Sequence, residues 1–420
     1  MSTPRDYFSQ PQGIHYCSPA HGGWGVVRTV LLVPEIHLLF VCPAACGRHG
    51  ALAAIEQGIK SQISYLCIDE VDIVTGDYEE LVSRAATEVI ERLPRRPRGL
   101  VIFVSCLDDL LATDYQAMLE NLSERHGIPV KLGRMNPIMS DTDTPPAVAV
   151  QRNMYSLLEE RPVRTDIVNL MGVFAPLDPE SELFSFLAAS GRTKVHSLPL
   201  CKTHDDFLEM GHASLNLVLR PEALYAARDL KERLGIDYCF TPVSYRLETI
   251  GRQYAEIGDK LGAAPYSFER DAEKAKEAVA SALKAVNGRD VYVDASAFCR
   301  PFNMARALIE YGFSVKGVYA DKLPAFEKDS FEWLLENASG VPIVKTEHHT
   351  MVKEVGARDG GVALGFNAGY ITGSEGVVPL EFDEGMFGYR GVVRLMGMVA
   401  AAAAGKADIR KMIYDYGLVV

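Results

Sequence analysis

The chain lacks any run of about 18 or more continuous apolar residues, so it offers no candidate for a membrane-spanning helix. Its opening residues, Met-Ser-Thr-Pro-Arg-Asp-Tyr, lack the apolar core of a secretion signal, and a cytoplasmic location is expected. Basic residues are in deficit: 43 Lys and Arg stand against 55 Asp and Glu, a net charge of −12. Nucleic-acid binding needs a clustered cationic excess, so that class is excluded. The short cluster Arg95-Arg96-Pro97-Arg98 reads as a solvated loop between a helix and a strand. There is no Gly-x-x-x-x-Gly-Lys-Ser/Thr, and no Gly-x-Gly-x-x-Gly after a strand. The usual routes to ATP or a dinucleotide are therefore missing, and electrons for any reduction must come from elsewhere. Eight cysteines without a signal peptide do not read as a disulfide framework.

What is present is an ordinary globular balance, 48% hydrophobic, 23% charged and 9% aromatic. At 420 residues, and roughly 100–200 residues per domain, three domains are expected. Apolar, β-rich runs at 37–42, 64–68, 100–105, 167–174, 215–219, 291–295, 314–320 and 361–366 alternate with helical segments. Their continuous apolar character fits strands covered on both faces. The fold class is thus α/β: three Rossmann-like domains, each a mostly parallel sheet flanked by helices. Ala272, Ala275, Val279, Ala282, Leu283 and Val286 repeat at helical spacing, and Asn287-Gly288 follows as a stop. A turn-rich stretch over 139–146 suggests a second boundary. The expected domains are 1–155, 156–287 and 288–420.

Three cysteines stand where chemistry is placed in such sheets, in loops at or beside strand ends. Cys106 follows Val101-Ile-Phe-Val-Ser105, Cys46 lies in Pro43-Ala-Ala-Cys46-Gly47, and Cys17 opens Cys17-Ser-Pro19-Ala-His21-Gly-Gly23. An iron–sulfur cluster needs soft thiolates and small residues that let backbone approach the sulfides; Gly22, Gly23, Gly25, Gly47 and Gly50 supply the latter. Spacing alone does not choose among Cys17, Cys42, Cys46 and Cys106, or separate ligands from buried thiols. Cys42-x-x-x-Cys46 has no partner pair at zinc-finger spacing and is not a Cys-x-x-Cys dithiol. A nucleophilic cysteine beside His49 is a further alternative.

These residues resemble the nitrogenase component 1 superfamily. The likeness runs through Cys17-Ser-Pro19, the Pro43-x-x-Cys46-Gly47 turn, the acidic stretch from Ile68 through Gly76 to Leu81, and the loop from Ser105 to Asp114. Val168-Asn-Leu-Met-Gly172 with Pro176 and Glu182-Leu183, and Gly388-Tyr-Arg-Gly391, continue it along the chain. The resemblance implies a nitrogenase-like oxidoreductase subunit whose cluster, [4Fe-4S] or a larger P-cluster-like one, is held by Cys17, Cys46 and Cys106. Cys42 falls at a small residue of the turn and is either a fourth ligand or a packed strand-end thiol. The resemblance also implies a substrate, a second metal cofactor or a tetrapyrrole in a cleft between domains. It implies an ATP-dependent iron–sulfur electron donor protein, and assembly as a homodimer or as a heterotetramer with a related subunit. Where the dinitrogen-reducing subunit carries a Cys and a His for its large cofactor, this chain reads Val218-Leu-Arg-Pro221 and Met386-Phe-Gly-Tyr389. Dinitrogen reduction is therefore not expected.

Beside the ligands, His21, Arg48 and His49 are placed to hydrogen-bond sulfides or to give protons to a substrate. Asp109 is a candidate proton relay, and Asp108 is expected with it to cap the helix starting in that loop. Cys67, Cys201, Cys239 and Cys299 are expected to pack. His348-His349 reads as a solvated loop, with a metal or tetrapyrrole ligand as its functional alternative. The rival to an enzyme subunit is a scaffold that receives and hands on a metal cluster or tetrapyrrole; a metal-free thiol enzyme is the third reading.

Overall fold

Residues 8, 14–20, 25–47, 54, 58–111, 113–134, 145–356 and 361–416 are described by a computed structural model of the chain. Their strands form three sheets in which every pairing is parallel. The first holds β1 (Ile36–Cys42), β2 (Ile63–Cys67), β3 (Gly99–Val104) and β4 (Val130–Arg134) in the order β2-β1-β3-β4. The second holds β5 (Ile167–Met171), β6 (Lys194–His196), β7 (Leu215–Val218) and β8 (Asp237–Phe240) in the order β6-β5-β7-β8. The third holds β9 (Asp290–Asp294), β10 (Ser314–Tyr319), β11 (Ile343–Val344), β12 (Val362–Leu364) and β13 (Gly376–Val378) in the order β11-β10-β9-β12-β13. Parallel neighbours need crossovers, and helices supply them on the sheet faces, as the α/β expectation requires.

By contact density the chain forms two compact units. One comprises residues 24–174 and 192–240 and holds the first two sheets; the other comprises 1–23, 175–191 and 241–420 and holds the third.

In the first sheet every residue of β1 and β3 is buried, because both faces are covered. Phe40, Cys42, Val101 and Phe103 belong to one apolar cluster with Val27, Val30 and Met154. Leu39, Val41, Ile102 and Val104 turn the other way, onto Val82, Ala86 and Ile90 of helix Tyr78–Arg92. The continuous apolar runs in the sequence are thus a two-sided burial pattern.

The strand orders share one property. Each sheet starts from an inner strand, builds to one side, then reverses: between β1 and β3, between β5 and β7, and between β9 and β12. Loops leaving the carboxyl ends of such a pair diverge and open a crevice, the usual ligand position in open α/β sheets.

In the second sheet Gly172 follows β5 with φ +86°, and a Cβ there would lie 2.9 Å from the Arg220 Cβ that follows β7. Only glycine lets the two loops approach so closely. In the other unit, helix Glu269–Val286 ends at Asn287 (φ +50°) and Gly288 (φ +73°), the foreseen stop, and packs against helix Gly388–Ala404. At the end of β9, Asp294 is fully buried and accepts backbone N–H bonds from Ala368 (2.8 Å) and Ser296 (2.9 Å). Gly365 beside it has φ +120°, and a Cβ there would meet the Asp294 Cβ at 2.5 Å. Among the described residues no helix is long and apolar enough to cross a membrane.

Candidate functional site

The crevice of the first sheet carries the thiols. Cys46 lies in a helical turn directly after β1, in which the N–H groups of Cys46 (2.9 Å) and Gly47 (3.2 Å) both donate to the Pro43 carbonyl. Cys106 opens helix Cys106–Leu111 directly after β3. Because β1 and β3 are hydrogen-bonded neighbours, the turn chemistry after two adjacent strands sets these thiols on either side of the reversal point. Cys46 is half-buried and Cys106 exposed. Gly47 has a packing reason to be glycine: a Cβ there would lie 3.2 Å from Cys42 Sγ and 3.3 Å from the Tyr65 ring.

Cys42 is of a different kind. It closes β1 inside the apolar cluster, 1% exposed, and burial pushes its thiol up to about 12, with the nearby Cys46 and Cys67 sulfurs adding to the rise. A thiol held in its protonated form packs as a small hydrophobe. Cys67, its register partner at the end of β2, is exposed, contrary to the expectation that it packs. The strand run predicted its backbone correctly, but β2 is the edge of its sheet and its last residue lies beyond the cover.

Cys17 belongs to the other unit and is exposed. Its segment is pinned there by an isolated antiparallel bridge between His15 and His348, and by the Tyr16 N–H donating to the Glu347 carbonyl at 2.8 Å. His348 caps the short helix His349–Lys353 through its own ring, which pairs with Thr350.

Among the described residues the Asp108 side chain bonds away from its own helix. Its carboxylate, 1% exposed, accepts hydrogen bonds from the hydroxyls of Tyr78 (3.0 Å) and Tyr115 (2.7 Å) and pairs with the Arg134 guanidinium (3.2 Å). Burial raises the pKa of both tyrosines, so they serve as donors at any ordinary pH. Helix Cys106–Leu111 is thereby tied to helix Tyr78–Arg92 and to β4. Asp109 lies in that helix. His21, Gly23, Arg48 and His49 lie outside the described residues.

The stretches Val218-Leu-Arg-Pro221 and Met386-Phe-Gly-Tyr389 hold core and ion-paired residues. Val218 and Leu219 are fully buried, and Arg220 pairs with Glu222 at 2.9 Å with its guanidinium 5.6 Å from the Phe174 ring centre. Met386 is fully buried, and the Tyr389 N–H donates to Glu182 at 2.6 Å.

Among the described residues no three His, Cys, Asp or Glu side chains are gathered as one metal ion would require. A cluster is a different demand, since each of its thiolates binds a separate iron and the ligands stand apart by the width of the cluster. Soft donors after neighbouring strands, one half-buried and one exposed, fit it.

The sequence model of the family described as nitrogenase component 1 type oxidoreductase matches residues 22–404. No curated protein matches by sequence. Among solved structures, one described as nitrogenase Cp1 at pH 6.5 is 15% identical, with a TM-score of 0.70 over 94% of this chain and 93% of that one. Another, nitrogenase Cp1 at pH 5, is 16% identical, with a TM-score of 0.60 over 94% and 90%.

Proposed function

Since the chain belongs to the nitrogenase component 1 type oxidoreductases, we propose that it is the cluster-bearing subunit of a nitrogenase-like two-component reductase. The observation that carries this is the placement of Cys46 and Cys106 after the adjacent strands β1 and β3, at the point where the strand order reverses. With Cys17, assigned on its Cys-Ser-Pro motif, they form the ligand set. A bound cluster supplies one-electron storage and transfer at this site. The chain's own part is to fix the thiolates: the Pro43 turn orients Cys46, and the Asp108 clamp orients the helix that Cys106 begins. His21, Arg48 and His49 are proposed to hydrogen-bond the sulfides or give protons, with Asp109 as a relay and Gly23 and Gly47 as close-approach positions.

The electron source in this reading is a separate ATP-dependent iron–sulfur protein. Helix Glu70–Val74, in the loop after β2, offers it exposed Val71 and Val74 between acidic side chains. The subunit works in the cytoplasm as a homodimer or with a related subunit, in three domains divided near 155 and 287. Its substrate in this reading is not dinitrogen, because Val218-Leu-Arg-Pro221 and Met386-Phe-Gly-Tyr389 hold neither a Cys nor a His. A second metal cofactor or a tetrapyrrole is the proposed occupant of the remaining site.

The test is anaerobic purification followed by iron and acid-labile sulfide counts and an absorption spectrum. Fresh anaerobic protein should be coloured and hold iron, and Cys46→Ala should lose both. Colourless, iron-free protein would leave only the thiol-enzyme reading. A chain that binds a cluster but turns over nothing with a reduced donor protein and ATP would be an assembly scaffold.

A further inference from the structure

The basic run Arg95-Arg96-Pro97-Arg98 stands out in a chain of net charge −12, and its arginines are exposed in the loop between helix Tyr78–Arg92 and β3. Most of the positive charge here is spent on the fold. Arg92, at the end of that helix, pairs with Glu88 at 2.8 Å, and Arg98 pairs with Asp205 at 3.1 Å. Arg96 donates to the His126 carbonyl at the end of helix Gln116–His126. Arg95 has no such partner among the described residues.

Arg95 and Arg96 line a cavity of about 630 Å³ at the amino ends of β1 and β2, the end of the sheet opposite Cys46 and Cys106. That volume is in the range of small-molecule sites, in which an apolar wall carries a few placed polar groups. Ile36, Leu93, Pro94 and Pro97 supply the apolar part. Pro94 and Pro97 also bracket the two arginines, and their fixed φ angles reduce the backbone freedom that the loop gives up on holding a ligand.

The polar lining is neutral or already committed. His37, 5% exposed, has Nε2 2.8 Å from Ser64 Oγ, and burial lowers its pKa to about 4, so the ring is uncharged at ordinary pH. Its Nδ1 and the side chains of Ser61 and Gln62 have no partner among the described residues. The one acid of the lining, Glu35, accepts the His204 N–H on its carboxylate at 3.4 Å. Glu35 also has φ +61°, and its carbonyl accepts the Arg98 N–H at 2.9 Å. A non-glycine residue in that region costs energy and persists only where its surroundings impose it, as ligand sites commonly do.

We infer that this cavity binds a small organic phosphate with a planar ring, its phosphoryl group on Arg95 and Arg96 and its ring on the wall of Ile36, Leu93, Pro94 and Pro97. A guanidinium fork matches phosphoryl oxygens and takes two at once. The His37, Ser61 and Gln62 side chains are neutral partners for polar atoms on the ring. An inorganic anion would use only the arginines and leave the apolar wall in water, so the ring adds affinity. The site binds and transfers nothing.

Equilibrium dialysis of the anaerobically purified full chain against adenosine monophosphate, flavin mononucleotide and inorganic phosphate tests this. At least one nucleotide should be retained about tenfold more tightly than inorganic phosphate, and added salt should weaken it. Arg95→Ala should weaken that binding about tenfold or more, the loss expected for a charge-assisted hydrogen-bond pair, with Arg95→Lys between. Because Arg95 holds no other group, its variants should keep the parental unfolding midpoint. Arg92→Ala, on the same surface but outside the cavity, should bind as the parent does. Equal retention of inorganic phosphate and both nucleotides reduces the cavity to an anion site and overturns the assignment. Retention of neither nucleotide, or parental affinity in Arg95→Ala, overturns it as well.

Discussion

Glu182 accepts the backbone N–H of Tyr389 at 2.6 Å on one carboxylate oxygen and that of Arg390 at 3.0 Å on the other. The first of these oxygens also takes the Tyr254 hydroxyl at 2.7 Å. The two amides belong to the first turn of helix Gly388–Ala404, where N–H groups have no acceptor within the helix. A single buried side chain thus satisfies the start of the long C-terminal helix, and Gly388, with φ +62°, lets the chain turn tightly around it. The sequence showed only Glu182-Leu183 and Gly388-Tyr-Arg-Gly391 as separate motifs; the structure makes them the two halves of one cap.

Glu182→Ala leaves three buried donors without their acceptor. It should cost about 2–4 kcal/mol of stability, more than Glu182→Gln, which keeps one acceptor. Urea unfolding measures it, and a loss under about 1 kcal/mol would show that the cap is dispensable.

Glu327 gives a pH signature. It is fully buried and accepts the N–H groups of Phe302 (3.0 Å) and Asn303 (2.8 Å) at the start of helix Pro301–Glu310, with Arg300 3.8 Å away. Burial lifts its carboxyl from 4.5 to about 7, with Asp383 adding to the rise. The folded chain then binds this proton more tightly than the unfolded chain does. Its contribution to stability is complete below about pH 4.5 and is lost as pH rises through about 7. Thermal unfolding followed across that interval should fall more steeply for the parent than for Glu327→Gln, which cannot ionise. Equal slopes would remove Glu327 as the source.

Asp108→Ala strips the acceptor from Tyr78, Tyr115 and Arg134, and should destabilise the unit holding the first sheet by about 2–4 kcal/mol. Asp108→Asn keeps an acceptor oxygen and should recover part of this. Chemical unfolding of the two variants checks the order, and the reverse order would refute the clamp.

Cys42→Ala removes one buried sulfur and should cost about 1 kcal/mol through the small cavity it leaves. Iron content should be unchanged, in contrast to Cys46→Ala. Iron lost from both would make Cys42 a ligand after all.

Eight strands are legible in the sequence as continuous apolar runs. The five that are not, β4, β6, β8, β11 and β13, all lie at sheet edges. Edge strands are short and need little apolar cover, and charge on them blocks unwanted pairing. Lys131 and Arg134 in β4, Lys194 in β6 and Asp237 in β8 erase the pattern by which inner strands are recognised. The same fact misled the reading of Cys67, which lies within the apolar run yet is exposed as the last residue of the edge strand β2. The Asp108 clamp was not legible, because Tyr78, Tyr115 and Arg134 meet only when β3 and β4 lie side by side.

Asp294 and Gly365 occupy the reversal point of the third sheet, where a Rossmann-like architecture would present bare amides to the phosphates of a nucleotide. Here the chain has inserted its own carboxyl group, so those donors are already committed and an approaching phosphate would face an acidic group instead of a cradle. The port that this strand order opens is thus sealed from within, and in the reading proposed above the nucleotide is handled by the electron donor instead.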